Sequence, residues 1–152
     1  MVLISCDNQH LNEDREFQLL NGLWVLVVDD NADNLELVRL ILEEYGMRVI
    51  TAASASEALK AIAKFFPDIL ISDIAMPGED GYELMGKIRT LASSQKKFLP
   101  ALALTACAGD EARSLALESG FQIHLPKPVE ISELVAAVAQ LATLSTSISR
   151  TC

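Results

Sequence analysis

Pro67-Asp68-Ile69-Leu70-Ile71-Ser72-Asp73-Ile74-Ala75-Met76-Pro77-Gly78 is the stretch from which the fold can be read. Proline at 67 stops whatever helix precedes it. Ile69–Ser72 is a short apolar run without polar alternation, the mark of a strand buried on both faces. A carboxylate, Asp73, closes the run. Met76–Gly81 then holds Pro77, Gly78 and Gly81, which makes it a loop. A doubly buried strand that ends in an acid and runs into a loop belongs in the middle of a parallel sheet.

The same reading extends in both directions. Towards the N-terminus, Ser54 and Glu57 have capping-box spacing ahead of a helix over Ala55–Phe65. Arg48–Ala52 reads as a strand. Ala32–Tyr45 reads as a helix, with Leu35, Val38, Leu42 and Tyr45 on one face, Asn31 as N-cap and Gly46 beyond its end. Trp24–Val28 is another short apolar strand. Towards the C-terminus come a helix over Tyr82–Ala92, a strand over Pro100–Leu104, a short helix over Asp110–Ser119 closed by Gly120, a strand over Gln122–Leu125 and a helix over Ile131–Leu144. Five strands alternating with five helices predict an α/β, doubly wound parallel sheet with helices on both faces and right-handed crossovers. Residues 1–22 read as an N-terminal extension in which Phe17, Leu19 and Leu20 can pack a short helix against the domain. Residues 23–144 read as the domain, and 145–152 as a mobile tail.

Composition narrows the function classes. The 152 residues carry 12 basic and 21 acidic side chains, a formal net charge of −9, which argues against sequence-independent nucleic-acid binding. Hydrophobic residues are 51% and charged residues 22%, a globular balance. Aromatic residues are only 5%, so the core must be aliphatic. No run approaches the roughly 20 apolar residues of a membrane helix, and the first residues lack a secretory pattern. Cys6, Cys107 and Cys152 are odd in number and far apart, which fits a reducing, cytoplasmic setting better than a disulfide framework. Cys6 and His10 lack the second ligand pair that a structural zinc site needs.

In open parallel sheets, ligands bind outside the carboxyl ends of the strands. Here those ends carry Asp29-Asp30, Asp73, Thr105 and Leu125-Pro126-Lys127-Pro128. Three carboxylates at about 4 Å repel by on the order of 4 kcal/mol per pair at an effective dielectric near 20. One lysine offsets part of that, and a divalent cation can supply the rest. Hard oxygen ligands with no soft ones select Mg2+. Mg2+ so held is suited to phosphoryl transfer, with a carboxylate able to act as the nucleophile. Each residue alone has a plainer explanation: Asp29-Asp30 as an acidic helix start, Asp73 as a turn residue, Thr105 as a cap and Lys127 as a solvated loop side chain. Their joint placement at successive strand ends outweighs those explanations.

The motifs Val25–Asn31, Pro67–Gly78, Asp80-Gly81-Tyr82-Glu83-Leu84, Leu104-Thr105-Ala106 and Lys127-Pro128 together resemble the receiver domain of two-component response regulators, the chemotaxis-regulator type included. The resemblance runs over residues 23–144. It implies a flavodoxin-like strand order 2-1-3-4-5, Asp73 as the phosphoacceptor, and Mg2+ held by Asp29, Asp30, Asp73 and the backbone carbonyl of Ala75. It implies further that Thr105 and Lys127 bind the phosphoryl group and that the Lys127–Pro128 bond is cis. Two positions depart from the family pattern. His124 stands where a tyrosine or phenylalanine is usual, and it is either a smaller switch ring or a static, solvated residue. Ala75 leaves water access to Asp73 open. Cys107 reads as a half-buried apolar residue or a redox-sensitive one.

The implied function is a phosphorylation-controlled, non-enzymatic signalling module that promotes its own phosphoryl transfer. Its donor is a histidine kinase or phosphotransfer protein, and its downstream protein target binds the last strand and its flanking helices. With no helix-turn-helix in sight, neither nucleic acid nor membrane is an expected partner. The chain suits either a stand-alone regulator or the receiver segment of a hybrid kinase. Two alternatives stand beside this. One is a receiver-like module that binds partners without phosphorylation. The other is a Mg2+-dependent aspartyl-phosphate phosphotransferase, which lacks a second aspartate at Ala75.

Overall fold

A computed structural model describes residues 18–106 and 109–151. In chain order the elements are β1 (Trp24–Val28), α1 (Ala32–Glu44), β2 (Arg48–Ala52), α2 (Ala55–Lys64), β3 (Ile69–Asp73), α3 (Gly81–Ser94), β4 (Ala101–Thr105), α4 (Asp110–Ser119), β5 (Ile123–Pro126) and α5 (Ile131–Thr151). The five strands are all parallel, in the order β2-β1-β3-β4-β5. This is the doubly wound sheet that the sequence predicts, in the strand order that the resemblance implies.

Alternation along each strand divides the core in two. Val25, Val27, Ile69, Ile71, Leu102 and Leu104 pack with Leu42 of α1 and Leu134, Val138 and Leu141 of α5. Leu26, Val28, Leu70, Ala101 and Ala103 face the other way, onto Ala58 and Ile62 of α2, Leu84 and Ile88 of α3, and Phe121. Each fully buried aliphatic side chain contributes about 1.5–3 kcal/mol. The core is aliphatic, as the composition requires. The helix starts are held as expected: Asn31 accepts from the Asp33 and Asn34 amides, and Ser54 accepts from the Glu57 amide at 3.2 Å. The Glu57 carboxylate reaches back one residue further than in the usual capping box, to the Ala53 amide at 2.6 Å.

Some boundaries differ from the sequence reading, each for a physical reason. Tyr45 and Phe65 are C-caps and not helical residues. β3, β4 and β5 each run one residue further than their apolar runs, through Asp73, Thr105 and Pro126. The ladder pairs Asp73 with Leu104 and Thr105 with Pro126. The polar residues are thus the last rungs of the sheet and not loop residues beyond it. Residues 145–151, expected to be a tail, continue the backbone of α5. No glycine or proline lies between Val129 and Thr151, and serine and threonine weaken a helix only modestly.

The short helix expected to pack Leu20 against the domain is present. Residues 18–20 form a helical turn, and Leu20 is fully buried with the α1–α5 cluster. The Gly22 amide bonds the Gly46 carbonyl at 2.8 Å, and the Arg48 amide bonds that of Leu23 at 2.7 Å. The expectations for Cys6, His10, Phe17, Cys107 and Cys152 fall outside the described residues.

Candidate functional site

The sheet ends bring Asp29, Asp30 and Asp73 together. One carboxylate oxygen from each lies within 4.8 Å of the others. Asp29 follows β1, and its amide bonds the Ala52 carbonyl of β2 at 3.1 Å. Its Oδ1 accepts from the Asn31 amide at 2.9 Å, so the turn that caps α1 also fixes this carboxylate. Asp29 and Asp73 are only 3% and 4% exposed, whereas Asp30 faces solvent.

Lys127 closes the cluster. Its Nζ lies 3.2 Å from Asp29 Oδ2 and 3.2 Å from Asp73 Oδ1. Its amide donates to the Thr105 carbonyl at 2.7 Å, which ties it to the end of β4. The Lys127–Pro128 bond is cis, as the resemblance implies. Thr105 is buried on the strand beside Asp73. Ala75 lies two residues past Asp73, in the exposed loop.

The charges are unbalanced. Three carboxylates face one ammonium group. Burial raises the Asp73 pKa above its ordinary value; Lys127 opposes the rise, and Asp29 and Asp30 add to it. Burial works against the Lys127 charge, yet Asp29 and Asp73 outweigh it and raise its pKa. Converging oxygen donors with excess negative charge fit a hard divalent cation, which takes a few carboxylates and keeps several waters. Among the described residues, this is the one group of three or more potential metal ligands.

His124 sits on β5 opposite Ala103 of β4. It is half-buried, and its Nε2 is shut away from solvent with no hydrogen-bond partner among the described residues. The ring is therefore not the freely solvated one of the second alternative above.

Two features escaped the sequence reading. The first is Gly81. Its amide donates to the Ile74 carbonyl at 2.8 Å. A Cβ placed on it would lie 2.6 Å from the Asp73 carbonyl oxygen and 2.9 Å from Ile74 Cα. The first residue of α3 is therefore pressed against the backbone that presents Asp73. The Asp80-Gly81 pair was visible, but its contact with residue 73 is tertiary. Gly81→Ala is expected to cost about 1–3 kcal/mol through overpacking, read by urea denaturation. It should also weaken divalent-ion binding, because the atoms that must move carry Asp73. The second feature is a cleft of about 350 Å³ beside the cluster, lined by Asp29, Leu37, Val38, Ile41, Lys127 and Leu134 among others. Its Leu37 is 58% exposed on α1.

Comparisons with known proteins bear on the family and the fold. A family model described as the response regulator receiver domain matches residues 25–139. A 14.6 kDa protein from the sodA1 3′ region of Leptolyngbya boryana is 46% identical over 123 residues, covering 81% of this chain and 92% of that protein. Hybrid signal transduction histidine kinase D of Dictyostelium discoideum is 35% identical over 129 residues, covering 81% of this chain but only 8% of the kinase. Among solved structures, the chemotaxis protein CheY4 of Vibrio cholerae superposes with a TM-score of 0.73 at 32% identity, covering 79% of this chain and 98% of that one.

Proposed function

The chain belongs to the response regulator receiver family of two-component signalling, and from that premise we propose that it is a switch set by Mg2+-dependent phosphorylation of Asp73. The observation that carries this reading is the buried Asp73 carboxylate, 3.2 Å from Lys127 and within a cluster of two further carboxylates. Such a carboxylate is a nucleophile waiting for a counter-charge.

In the proposed reaction an Asp73 oxygen attacks phosphorus, and the bond from phosphorus to the donor nitrogen or oxygen breaks with its electron pair leaving on the donor. The product is an acyl phosphate. Asp29, Asp30 and Asp73, with the Ala75 carbonyl as the resemblance implies, would hold Mg2+, which would supply charge neutralisation for the phosphoryl oxygens. Lys127 places an ammonium group beside them, and the Thr105 hydroxyl is a hydrogen-bond donor of the right type on the neighbouring strand. Lys127 favours the ionised form of Asp73 that attacks, against the burial that raises its pKa.

Receiver domains interact with histidine kinases or phosphotransfer proteins. The apolar cleft at Asp29 and Lys127, with Leu37 at its rim, supports docking of the donor on α1 beside the phosphoacceptor. We propose the output on β5, α4 and α5, because Thr105 ends the strand that leads into α4, and Lys127 follows β5 and leads into α5. Phosphorylation then biases this face only by as much as it favours one of its two arrangements. His124, in β5, is the proposed ring partner of that shift. No helix among the described residues is long and apolar enough to cross a membrane, and a cytoplasmic location fits the reading.

Intact-mass spectrometry after incubation with acetyl phosphate tests this. The expected result is a gain of one phosphoryl group with Mg2+ and none with a chelator. No gain from acetyl phosphate, and none from a phosphorylated histidine phosphotransfer domain, would reject the switch in favour of the phosphorylation-independent module.

A further inference from the structure

At the end of the sheet remote from Asp73, α3 and α4 leave a groove of about 440 Å³. Met85, Ile88, Ala92 and Leu99 line it as buried apolar residues. Phe98 and Leu117 also line it and remain 39% and 44% exposed. Two cations, Arg89 and Lys97, stand in the same groove against one acid, Glu118. Among the described residues neither cation is in an ion pair. Lys97 lies over the Phe66 ring at 4.8 Å, and Arg89 reaches only the Ser119 carbonyl, at 3.4 Å. In a chain of formal charge −9, this is a local reversal of sign.

The backbone leaves room for these groups. Gly120 has φ +117°, and a Cβ there would lie 2.5 Å from Arg89 Cδ. The absent side chain is what lets Arg89 lie across the end of α4. Gln122 fixes the base, accepting from the Ala101 amide at 2.7 Å and donating to the Gly120 carbonyl at 2.9 Å. On the outer side of α3, Gly86, Thr90, Ser93 and Ser94 continue as a second shallow concavity that shares Arg89 and Ser93 with the first. From Met85 to Ser93 the groove follows α3 for about 12 Å, or two helical turns.

We propose that this face docks an acidic amphipathic helix of a partner protein, its apolar side in the α3–α4 groove and its carboxylates on Arg89 and Lys97. A helix in an apolar groove reads i, i+3/i+4 and i+7 anchors, which matches the two-turn length. The charge complementarity selects an acidic partner and rejects a basic one. The surface lies away from the phosphoacceptor edge, so the proposal goes beyond the reading of Asp73 and does not depend on it.

The test uses the unphosphorylated full chain and a fluorescein-labelled synthetic peptide of about five helical turns, with leucine at helical spacing and glutamate elsewhere. Fluorescence anisotropy is expected to show saturable binding that weakens as salt rises from about 0.05 to 0.3 M. Arg89→Glu with Lys97→Glu should weaken it at least about tenfold, the milder Arg89→Gln with Lys97→Gln by less, and Arg113→Glu on the exposed side of α4 by under about twofold. Circular dichroism melts of each variant confirm that the fold is retained. Equal affinity for the same peptide with lysine in place of glutamate would overturn the proposal. So would affinity unchanged by charge reversal, or failure of the peptide to bind. Self-association of the chain that is abolished by the charge reversal, without peptide binding, would assign the face to a second copy and equally overturn it.

Discussion

Asp73→Asn is expected to take up no phosphoryl group and, in metal-free buffer, to melt higher than the wild type. The first part follows from losing the only proposed nucleophile: an amide cannot form the acyl phosphate. The second follows from electrostatics. Asp29, Asp30 and Asp73 place oxygens within 4.8 Å of one another, where each like-charge pair costs about 3–4 kcal/mol at an effective dielectric near 20. The Lys127 contact recovers part of this. The net is still unfavourable, since the Asp73 pKa is raised, burial being the largest cause. A carboxyl group with a raised folded-state pKa costs no stability when protonated in both states. It destabilises the fold as pH rises from its ordinary value of 3.8 through the higher folded value. The asparagine side chain does not titrate. The difference in melting temperature should thus be smallest below about pH 4 and grow towards neutrality, reaching on the order of 1 kcal/mol, or a few degrees. Differential scanning calorimetry across that range, with a chelator present, measures it. Added Mg2+ should reverse the order, because only the wild type keeps all three carboxylates to bind it. A variant that melts lower than wild type at neutral pH without metal would show that the cluster is not strained.

Lys127→Ala should act in the opposite sense on stability and in two directions on function. Removing one partner of a fully buried ion pair costs about 3–5 kcal/mol. The Lys127 side chain is 26% exposed, so solvent lowers the expected cost to about 2–3 kcal/mol. Its pKa is raised against burial by Asp29 and Asp73. The stabilisation is therefore complete below its ordinary 10.5 and is lost as pH rises through the higher folded value. The phosphorylation rate should fall about a hundredfold, since a charge aimed at the developing phosphoryl oxygens is gone. Divalent-ion binding should become tighter, because the ammonium group competes for the same carboxylates. Titration calorimetry with Mg2+ separates this from general damage: a distorted site binds the ion more weakly, whereas an intact site without its internal cation binds it more strongly.

The sequence was most legible where one periodicity or one residue type had a single physical outcome. Trp24–Val28 and Arg48–Ala52 could only be short strands, and Asp110–Ser119 ends as a helix at Gly120. Asp29, Asp73, Thr105 and Lys127 stood out because each is polar where an apolar run stops, and the parallel sheet brings all those stops to one edge. The ends of β3, β4 and β5 were read one residue short. Hydropathy marks where burial changes, whereas the ladder ends where backbone partners do, and Asp73 still pairs with Leu104. Gly81 against the Asp73 carbonyl and Arg89 across Gly120 were not legible, since each joins segments whose approach only the folded chain defines.

The crowded carboxylates bear on how such a domain ages in evolution. Most random changes at the aliphatic core are removed by selection because they unfold the protein, but neutralising Asp30 or Asp73 relieves repulsion and passes that filter. A gene copy released from its signalling duty would accordingly drift in one direction, shedding acids from the sheet edge while its core stayed intact.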